Sequence, residues 1–321
     1  MKILVTGCCG FIGYHLSRHL LANKKYKVFG IDNLNNYYDV TLKKDRLATI
    51  KKEGLIFFKQ DIKNFNFIKK NFQREKYDYV VHLAAQAGVR HSIDSPEIYL
   101  KNNIDGFFNI LENCKAYNIK HLIYASTSSV YGNNKKFPLK EESNTDKPLS
   151  FYAATKKANE VMAHSYSNIY KIPTTGLRFF TVYGPFGRPD MALFKFTKNI
   201  ILGKKIDLYN KGNHYRDFTY VEDVVKYIDK IIPLASTKNI PYQIFNIGSN
   251  NPKSLKYFLN IIEENLNKKS KKNYMPLQKG DIIKTHANVD NIIKKTKYTS
   301  QSTTEYGIKK FINWYKKYYK K

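Results

Sequence analysis

Tyr152 and Lys156 stand four residues apart in the run Ser150-Phe-Tyr-Ala-Ala-Thr-Lys-Lys157. Positions i and i+4 share one face of a helix, whereas i+5 is turned away by about 140°. Lys156 therefore stands beside Tyr152, and Lys157 does not. A phenol with its ordinary pKa near 10 is too weakly acidic to act as a base at neutral pH. A neighbouring ammonium favours the phenolate. Thr127 lies 25 residues upstream in Ala125-Ser-Thr-Ser-Ser129, and its hydroxyl can hydrogen-bond a reacting oxygen. The plain alternative is a buried Tyr and a Lys lying along the surface. With 55 Lys and Arg in the chain, the pair alone carries little weight.

A second motif adds to it. Gly7-Cys-Cys-Gly10-Phe-Ile-Gly13 follows the first apolar run and opens the first helical one. Its G-x-x-G-x-x-G spacing is one residue longer than the G-x-G-x-x-G dinucleotide fingerprint. Glycines permit a tight turn and close backbone approach. The helix start at Phe11, Ile12 and Gly13 offers N–H groups to a pyrophosphate. Asp32 ends the second strand nineteen residues after Gly13 and can accept hydrogen bonds from ribose hydroxyls. It would repel a 2′-phosphate, and no Arg follows in Asn33-Leu-Asn-Asn36, which favours NAD over NADP. Asp61 ends the third strand and is placed to face an adenine, with Asn33 and Ile62 beside these acids. Leu83-Ala84-Ala85 ends the fourth strand with small side chains where backbone must approach a cofactor. A strand-to-helix turn without a ligand would also use glycines, but the agreement of several strand ends weighs against it. A bound nicotinamide cation would further favour the Tyr152 phenolate.

These residues need a frame. Strand-like runs at 2–6, 26–32, 55–61, 77–85, 121–126 and 174–180 alternate with helical spacing at 11–22, 42–52, 65–73, 96–117 and 152–170. That order is expected of an α/β, Rossmann-like doubly wound parallel sheet with helices on both faces. Residues 1–180 read as the NAD-binding domain, with later contributions near 214–248. Residues 181–321 read mainly as a smaller mixed α/β substrate lobe. In it, 183–190 is an ordered loop, 191–202 and 218–232 are helices, 206–209 and 244–248 are strands, and 255–266 and 306–319 are final helices.

The 321 residues are 42% hydrophobic and 25% charged, ordinary globular values. No apolar run approaches the roughly 18 residues of a membrane span, and the N-terminus lacks the pattern of a signal peptide. Three cysteines, Cys8, Cys9 and Cys114, give neither a disulfide framework nor metal-ligand spacing. The expectation is a cytoplasmic protein with no metal site and no membrane contact. The formal charge is +29, but the lysines are spread over nearly every polar segment. Nucleic-acid binding would cluster them with readout residues, so no nucleic-acid partner is expected. The field still draws in an anionic substrate.

Several longer stretches resemble the extended short-chain dehydrogenase/reductase family, the NAD-dependent epimerase/dehydratases of nucleotide sugars. They are Asp32-Asn-Leu-Asn-Asn-Tyr-Tyr-Asp39, His82-Leu-Ala-Ala-Gln-Ala-Gly-Val-Arg90, Tyr152-Ala-Ala-Thr-Lys-Lys-Ala-Asn-Glu160, Leu177-Arg-Phe-Phe-Thr-Val-Tyr-Gly-Pro185, Gly187-Arg-Pro-Asp-Met-Ala-Leu193 and Arg216-Asp-Phe-Thr-Tyr220. The likeness is greatest to the branch that epimerises UDP-glucuronate at C4. It implies Tyr152 as base, Lys156 as the ribose anchor that lowers the Tyr pKa, and Thr127 with Ser128 against the sugar. It further implies Asn103 near the cofactor, Arg216 on the diphosphate, Asp281 on the uridine ribose and Tyr209 in the uracil pocket. Thr181 and Arg188 would hold the sugar carboxylate, with Arg90 also on the substrate. Tightly bound NAD, a UDP-sugar substrate and a homodimer through 96–117 and 152–170 follow from the same likeness. Cys8-Cys9 stand where these enzymes often have two Ala, which suggests an oxidation-prone loop.

Related dehydratases and decarboxylases carry carboxylates just after the catalytic Thr. Here Ser128-Ser129 occupy those places. The rival within the family is a 4-epimerase of a neutral UDP-hexose or UDP-N-acetylhexosamine. A catalytically silent NAD-sensing scaffold is the rival outside enzymes, but such members usually lose the Tyr or the Lys.

Overall fold

The computed structural model describes residues 1–278 and 280–320. The chain opens with β1 (Lys2–Thr6), α1 (Phe11–Leu21), β2 (Lys27–Asp32), α2 (Val40–Lys52), β3 (Ile56–Lys59), α3 (Phe65–Glu75) and β4 (Tyr79–His82). Two short helices, α4 (His91–Asp94) and α5 (Pro96–Tyr99), lead through a π-helical turn (Leu100–Asp105) into α6 (Gly106–Ala116). β5 (His121–Thr127) runs into a 3₁₀ turn (Ser128–Tyr131), and the long α7 (Phe151–Tyr170) precedes β6 (Thr174–Phe179). The second half holds β7 (Thr181–Tyr183), α8 (Ala192–Ile201), β8 (Lys205–Tyr209), β9 (Tyr215–Arg216), β10 (Phe218–Tyr220) and α9 (Val221–Ile231). It ends with β11 (Tyr242–Ile247), β12 (Lys253–Ser254), α10 (Leu255–Leu266), β13 (Lys271–Met275), α11 (Asp290–Thr296) and α12 (Thr304–Tyr319).

Seven parallel strands form one sheet in the order β11-β6-β5-β4-β1-β2-β3. Helices cover both faces, so β1, β5 and β6 are buried almost throughout, as parallel strands must be. One apolar cluster joins the sheet to α1, α9, α10 and α12, and the other joins it to α3, α6 and α7. The order reverses between β1 and β4, and ligands bind beyond the carboxyl ends of strands at such a point. The seventh strand, β11, comes from the second half of the chain.

Three sequence expectations differ from the structure. Residues 218–232 do not form one helix. Phe218–Tyr220 is β10, paired in parallel with β7 from Phe218↔Thr181 to Tyr220↔Tyr183, and the helix begins at Val221. Bulky aromatic and β-branched residues favour that extended start. The single helix expected over 96–117 is interrupted by the π-turn. There Asn102 Nδ2 donates to the Ile98 carbonyl (2.8 Å), and Asn103 turns its side chain to the backbone of Gln86. Such local polar bonds compete with the helical ladder. Finally, β7, β9, β12, β13, α4 and α11 were not anticipated. They are two to seven residues long and leave little periodic signal.

Candidate active site

A cleft of about 830 Å³ opens at the carboxyl end of the sheet. It lies near the top of the usual range for small-molecule sites, about 300–1,000 Å³. It therefore has room for more than one small group.

Tyr152 sits in the first turn of α7, whose start is capped by Ser150 Oγ accepting from Ala153 N (3.2 Å). Tyr152, Lys156 and Thr127 all line the cleft. Lys156 is 2% exposed, and its Nζ donates to the Ala125 carbonyl at 3.0 Å. Lys157 turns away, with its Nζ on Thr145 Oγ1 at 2.6 Å. Helical geometry separates the two lysines as anticipated. Burial raises the Tyr152 phenol above its ordinary value, while a hydrogen bond with Thr127 and the Arg188 charge pull it back. Arg188 is one cation that acts on Tyr152. Burial lowers Lys156 to about 8, and its ammonium is held by a carbonyl.

The glycine loop follows β1. Gly7 has φ +72, and a Cβ there would meet Ala84 N at 2.7 Å, so the loop lies against the end of β4. A Cβ on Gly13 would meet the Gly7 carbonyl oxygen at 2.1 Å. Only glycine fits either place. Gly10 begins α1 without a side-chain cap, which leaves the first N–H groups of the helix directed at the cleft edge. Gly7, Gly10, Phe11, Ile12, Gly13, Asp32, Asn33, Ile62, Leu83, Ala84 and Ala85 line this part of the cleft. Asp32 accepts from Cys9 N (3.0 Å) and Leu34 N (2.8 Å), which aims its carboxylate along the loop.

Two expected residues stand behind the wall. Asp61 accepts from Asn33 Nδ2 (2.9 Å) and Lys63 N (2.9 Å), so it orients Asn33 and does not line the cleft. Asn103 is 1% exposed and exchanges two hydrogen bonds with the Gln86 backbone (2.8 and 3.0 Å). It also donates to Thr155 Oγ1 (3.0 Å), and its carbonyl accepts from Asn159 (2.7 Å). Asn103 thereby fastens α7 to the end of β4.

Cys8 and Cys9 are fully buried, with Sγ atoms 3.8 Å apart. Burial pushes the Cys8 thiol well up. A thiol so held resists oxidation, contrary to the reading of an oxidation-prone loop.

The substrate-side residues fall into two groups. Arg90, Tyr209, Arg216 and Asp281 converge at one end of the cleft. The Arg90 guanidinium lies over the Tyr209 ring at 4.5 Å and pairs with Asp281 at 3.4 Å. Arg216 donates to the Ile283 carbonyl at 2.9 Å, and burial lowers its pKa to about 10. Thr181, Arg188, Ser128 and Thr127 line the cleft with Tyr152. Arg188 is bound by Asp190, Nε to Oδ1 at 3.0 Å. Arg90 thus belongs with Tyr209 and Asp281.

The profile of the "NAD dependent epimerase/dehydratase family" matches residues 3–248. The chain belongs to this family. It is 50% identical over 335 residues to protein CapI of Staphylococcus aureus, covering all of both chains. It is 42% identical to UDP-glucuronate 4-epimerase 2 of Arabidopsis thaliana, covering all of this chain and 77% of that protein. The solved UDP-glucuronic acid 4-epimerase of Bacillus cereus, in complex with UDP-glucuronic acid and NAD, superposes with a TM-score of 0.93. Identity to it is 34%, over 99% of this chain and 100% of that one. The chain is an NAD-dependent UDP-sugar 4-epimerase of this family.

The chain's own residues fit NAD. The Gly7–Gly13 cradle would be filled by any Cβ, the α1 start is uncapped, and Asp32 is poised for a ribose. Two cations that the sequence did not reveal, Lys43 and Arg46 of α2, also act on Asp32. Both are engaged: Lys43 Nζ by the Asn35 carbonyl (2.7 Å), and Arg46 by Cys9 O (2.9 Å), Tyr38 OH (2.6 Å) and Phe186 O (2.6 Å). Arg46, fully buried on these acceptors, is not spare for a 2′-phosphate. Tyr37, Gln86, Asp190 and His214 line the cleft and received no role from the sequence. Tyr37, Gln86 and Asp190 lie in the stretches that carry the family resemblance, whereas His214 left no signal.

Proposed function

We propose that this epimerase interconverts UDP-glucuronate and UDP-galacturonate. Tyr152, as phenolate, takes the proton of the C4 hydroxyl while Thr127 holds that oxygen. Lys156 anchors the cofactor ribose. When bound, NAD supplies reversible hydride acceptance at C4. Arg216, Asp281 and Tyr209 keep the nucleotide in place while the 4-keto sugar turns, and Tyr152 returns the proton on re-reduction. Ser128 and Ser129 give no carboxylate for further chemistry at C5, and Thr181 with Arg188 orients the sugar carboxylate. Residues 1–180 with β11 serve the cofactor, and most of 181–321 serves the nucleotide sugar. The observation that carries the uronate reading is a guanidinium, Arg188, at the cleft wall and close enough to act on Tyr152.

The Arg188–Asp190 pair also favours the alternative, a neutral UDP-hexose or UDP-N-acetylhexosamine, because the pair has no net charge. Incubating the purified protein with UDP-glucuronate and no added NAD, followed by sugar NMR, decides between them. A mixture of gluco and galacto forms is expected. No turnover, or a UDP-pentose, would sink the reading.

A homodimer belongs to the same proposal. On α7, Val161 (58% exposed) and Ile169 (62%) lie eight residues apart on one face, with Leu100 and Phe108 exposed before and within α6. Sedimentation should give twice the 37.5 kDa chain mass. The location expected is the cytoplasm; among the described residues no helix is long and apolar enough to cross a membrane.

A further inference from the structure

Arg188 already holds a carboxylate. Its Nε meets Asp190 Oδ1 at 3.0 Å and its Nη2 meets Oδ2 at 2.5 Å, a bidentate fork. Tyr37 completes the arrangement. Its hydroxyl donates to Asp190 Oδ2 at 3.4 Å, and the Arg188 guanidinium carbon lies 6.0 Å from its ring centroid. All three residues line the cleft that holds Tyr152. The pair is only partly shielded, with side chains 21% and 30% exposed, so a ligand can reach it. A second cation is at hand. Lys195, one turn into α8, lines the same cleft, and its charge acts on Asp190.

We propose that Asp190 is an internal stand-in for the sugar carboxylate, displaced from Arg188 when a uronate binds and received by Lys195 and Tyr37. The idea rests on Arg188 being the uronate's partner, as proposed above. Two carboxylates on one fork would repel each other, whereas a carboxylate passed to a neighbouring ammonium keeps every charge matched. A neutral sugar has nothing to exchange and leaves the pair intact. Asp190 thus competes with the uronate for Arg188, at a free-energy cost typical of partly exposed ion pairs, and weakens uronate binding without touching that of a neutral sugar.

The test uses NAD-loaded protein carrying Y152F, so that neither sugar is turned over, and calorimetric titration with UDP-glucuronate and UDP-glucose. D190N should tighten UDP-glucuronate about fivefold and leave UDP-glucose within about twofold. K195Q should weaken UDP-glucuronate by a similar factor alone, and have no effect once D190N is present, because the two act as one unit. Weaker UDP-glucuronate binding by D190N would show that Asp190 merely props Arg188, and would overturn the exchange. Equal changes for both sugars, or additive effects of D190N and K195Q, would overturn it as well. Epimerisation by the unsubstituted chain is a separate readout. Its absence strikes the substrate reading, whereas an unchanged ratio of the two affinities strikes the exchange.

Discussion

Lys156 and Lys157 are neighbours with the same chemistry, and one helical step separates their fates. Lys156 is buried against the Ala125 carbonyl at the cleft floor, and Lys157 is tied to Thr145 outside it. Replacing Lys156 with Met should cut epimerisation by about 10²- to 10³-fold, the usual worth of a group that serves a general base. Replacing Lys157 with Met should change the rate by less than about twofold, as for a side chain outside the chemistry. Parallel rate assays on the two variants check this, with bound NAD read from absorbance. Arg188 makes a second expectation. Its positive charge lowers the Tyr152 phenol, which burial otherwise raises. Removing the charge in R188M raises the phenol, and the base needs the phenolate. The rising limb of kcat against pH should therefore move to higher pH in R188M, measured at saturating substrate. A limb that stays in place would separate Arg188 from the base. Tyr152, Lys156 and Thr127 were legible in the sequence because fixed helical spacing and a strand end define them. The Arg188–Tyr152 coupling was not, since Arg188 joins the wall of the Tyr152 cleft only when the chain is folded.

At the level of elements, that loop is the part most dependent on distant support. Phe186 adopts φ +54, a left-handed conformation that a bulky residue rarely takes. Its ring is packed against Tyr14 of α1 and Trp314 of α12, with centroids 4.9 and 4.8 Å apart. Arg46 of α2 reaches the Phe186 carbonyl at 2.6 Å and the glycine-loop carbonyl of Cys9 at 2.9 Å. His15 bonds the Pro185 carbonyl at 2.8 Å, and burial lowers it to about 4, so it is neutral when it does so. One buried arginine therefore positions both the cofactor cradle and the loop bearing Arg188. R46M should cost about 2–4 kcal/mol, since it leaves buried acceptors without a donor. It should also raise the KM for the nucleotide sugar, checked by denaturant unfolding and steady-state rates. Helices with regular apolar spacing were read from the sequence almost to the residue, as with α1 and α10. The π-turn before α6 was hidden, because Asn102 and Asn103 look compatible with a helix until the Gln86 backbone is nearby. Arg46 was hidden too, as one of many basic residues.

Across the whole molecule, buried polar groups weld the substrate-side segments to the sheet. Glu160 of α7 holds Arg178 of β6 through two bonds of 2.9 Å and accepts from Ser126 of β5 at 2.6 Å. Arg178 continues to Tyr131 (2.9 Å) and the Glu141 carbonyl (2.8 Å). Tyr131 reaches Asn246 of β11 at 2.6 Å, and Asn246 donates to the carbonyls of Leu139 and Asn288. Asp217, beside Arg216, accepts from Ser249 N (2.6 Å), Asn250 N (3.0 Å) and Ala287 N (3.0 Å), tying three loops together. Because β11 lies in the main sheet and these networks cross the nominal boundary at residue 180, the two halves should melt together. Calorimetry should show a single transition that coincides with loss of bound NAD. E160Q leaves the Arg178 guanidinium buried with its countercharge removed, a change that typically costs about 3–5 kcal/mol. For a chain of this size that lowers Tm by roughly 5 °C or more, and the whole transition should shift together. Two resolved transitions in E160Q, one near the original Tm, would mean that the halves fold independently and that the Glu160–Arg178 pair stabilises only one of them.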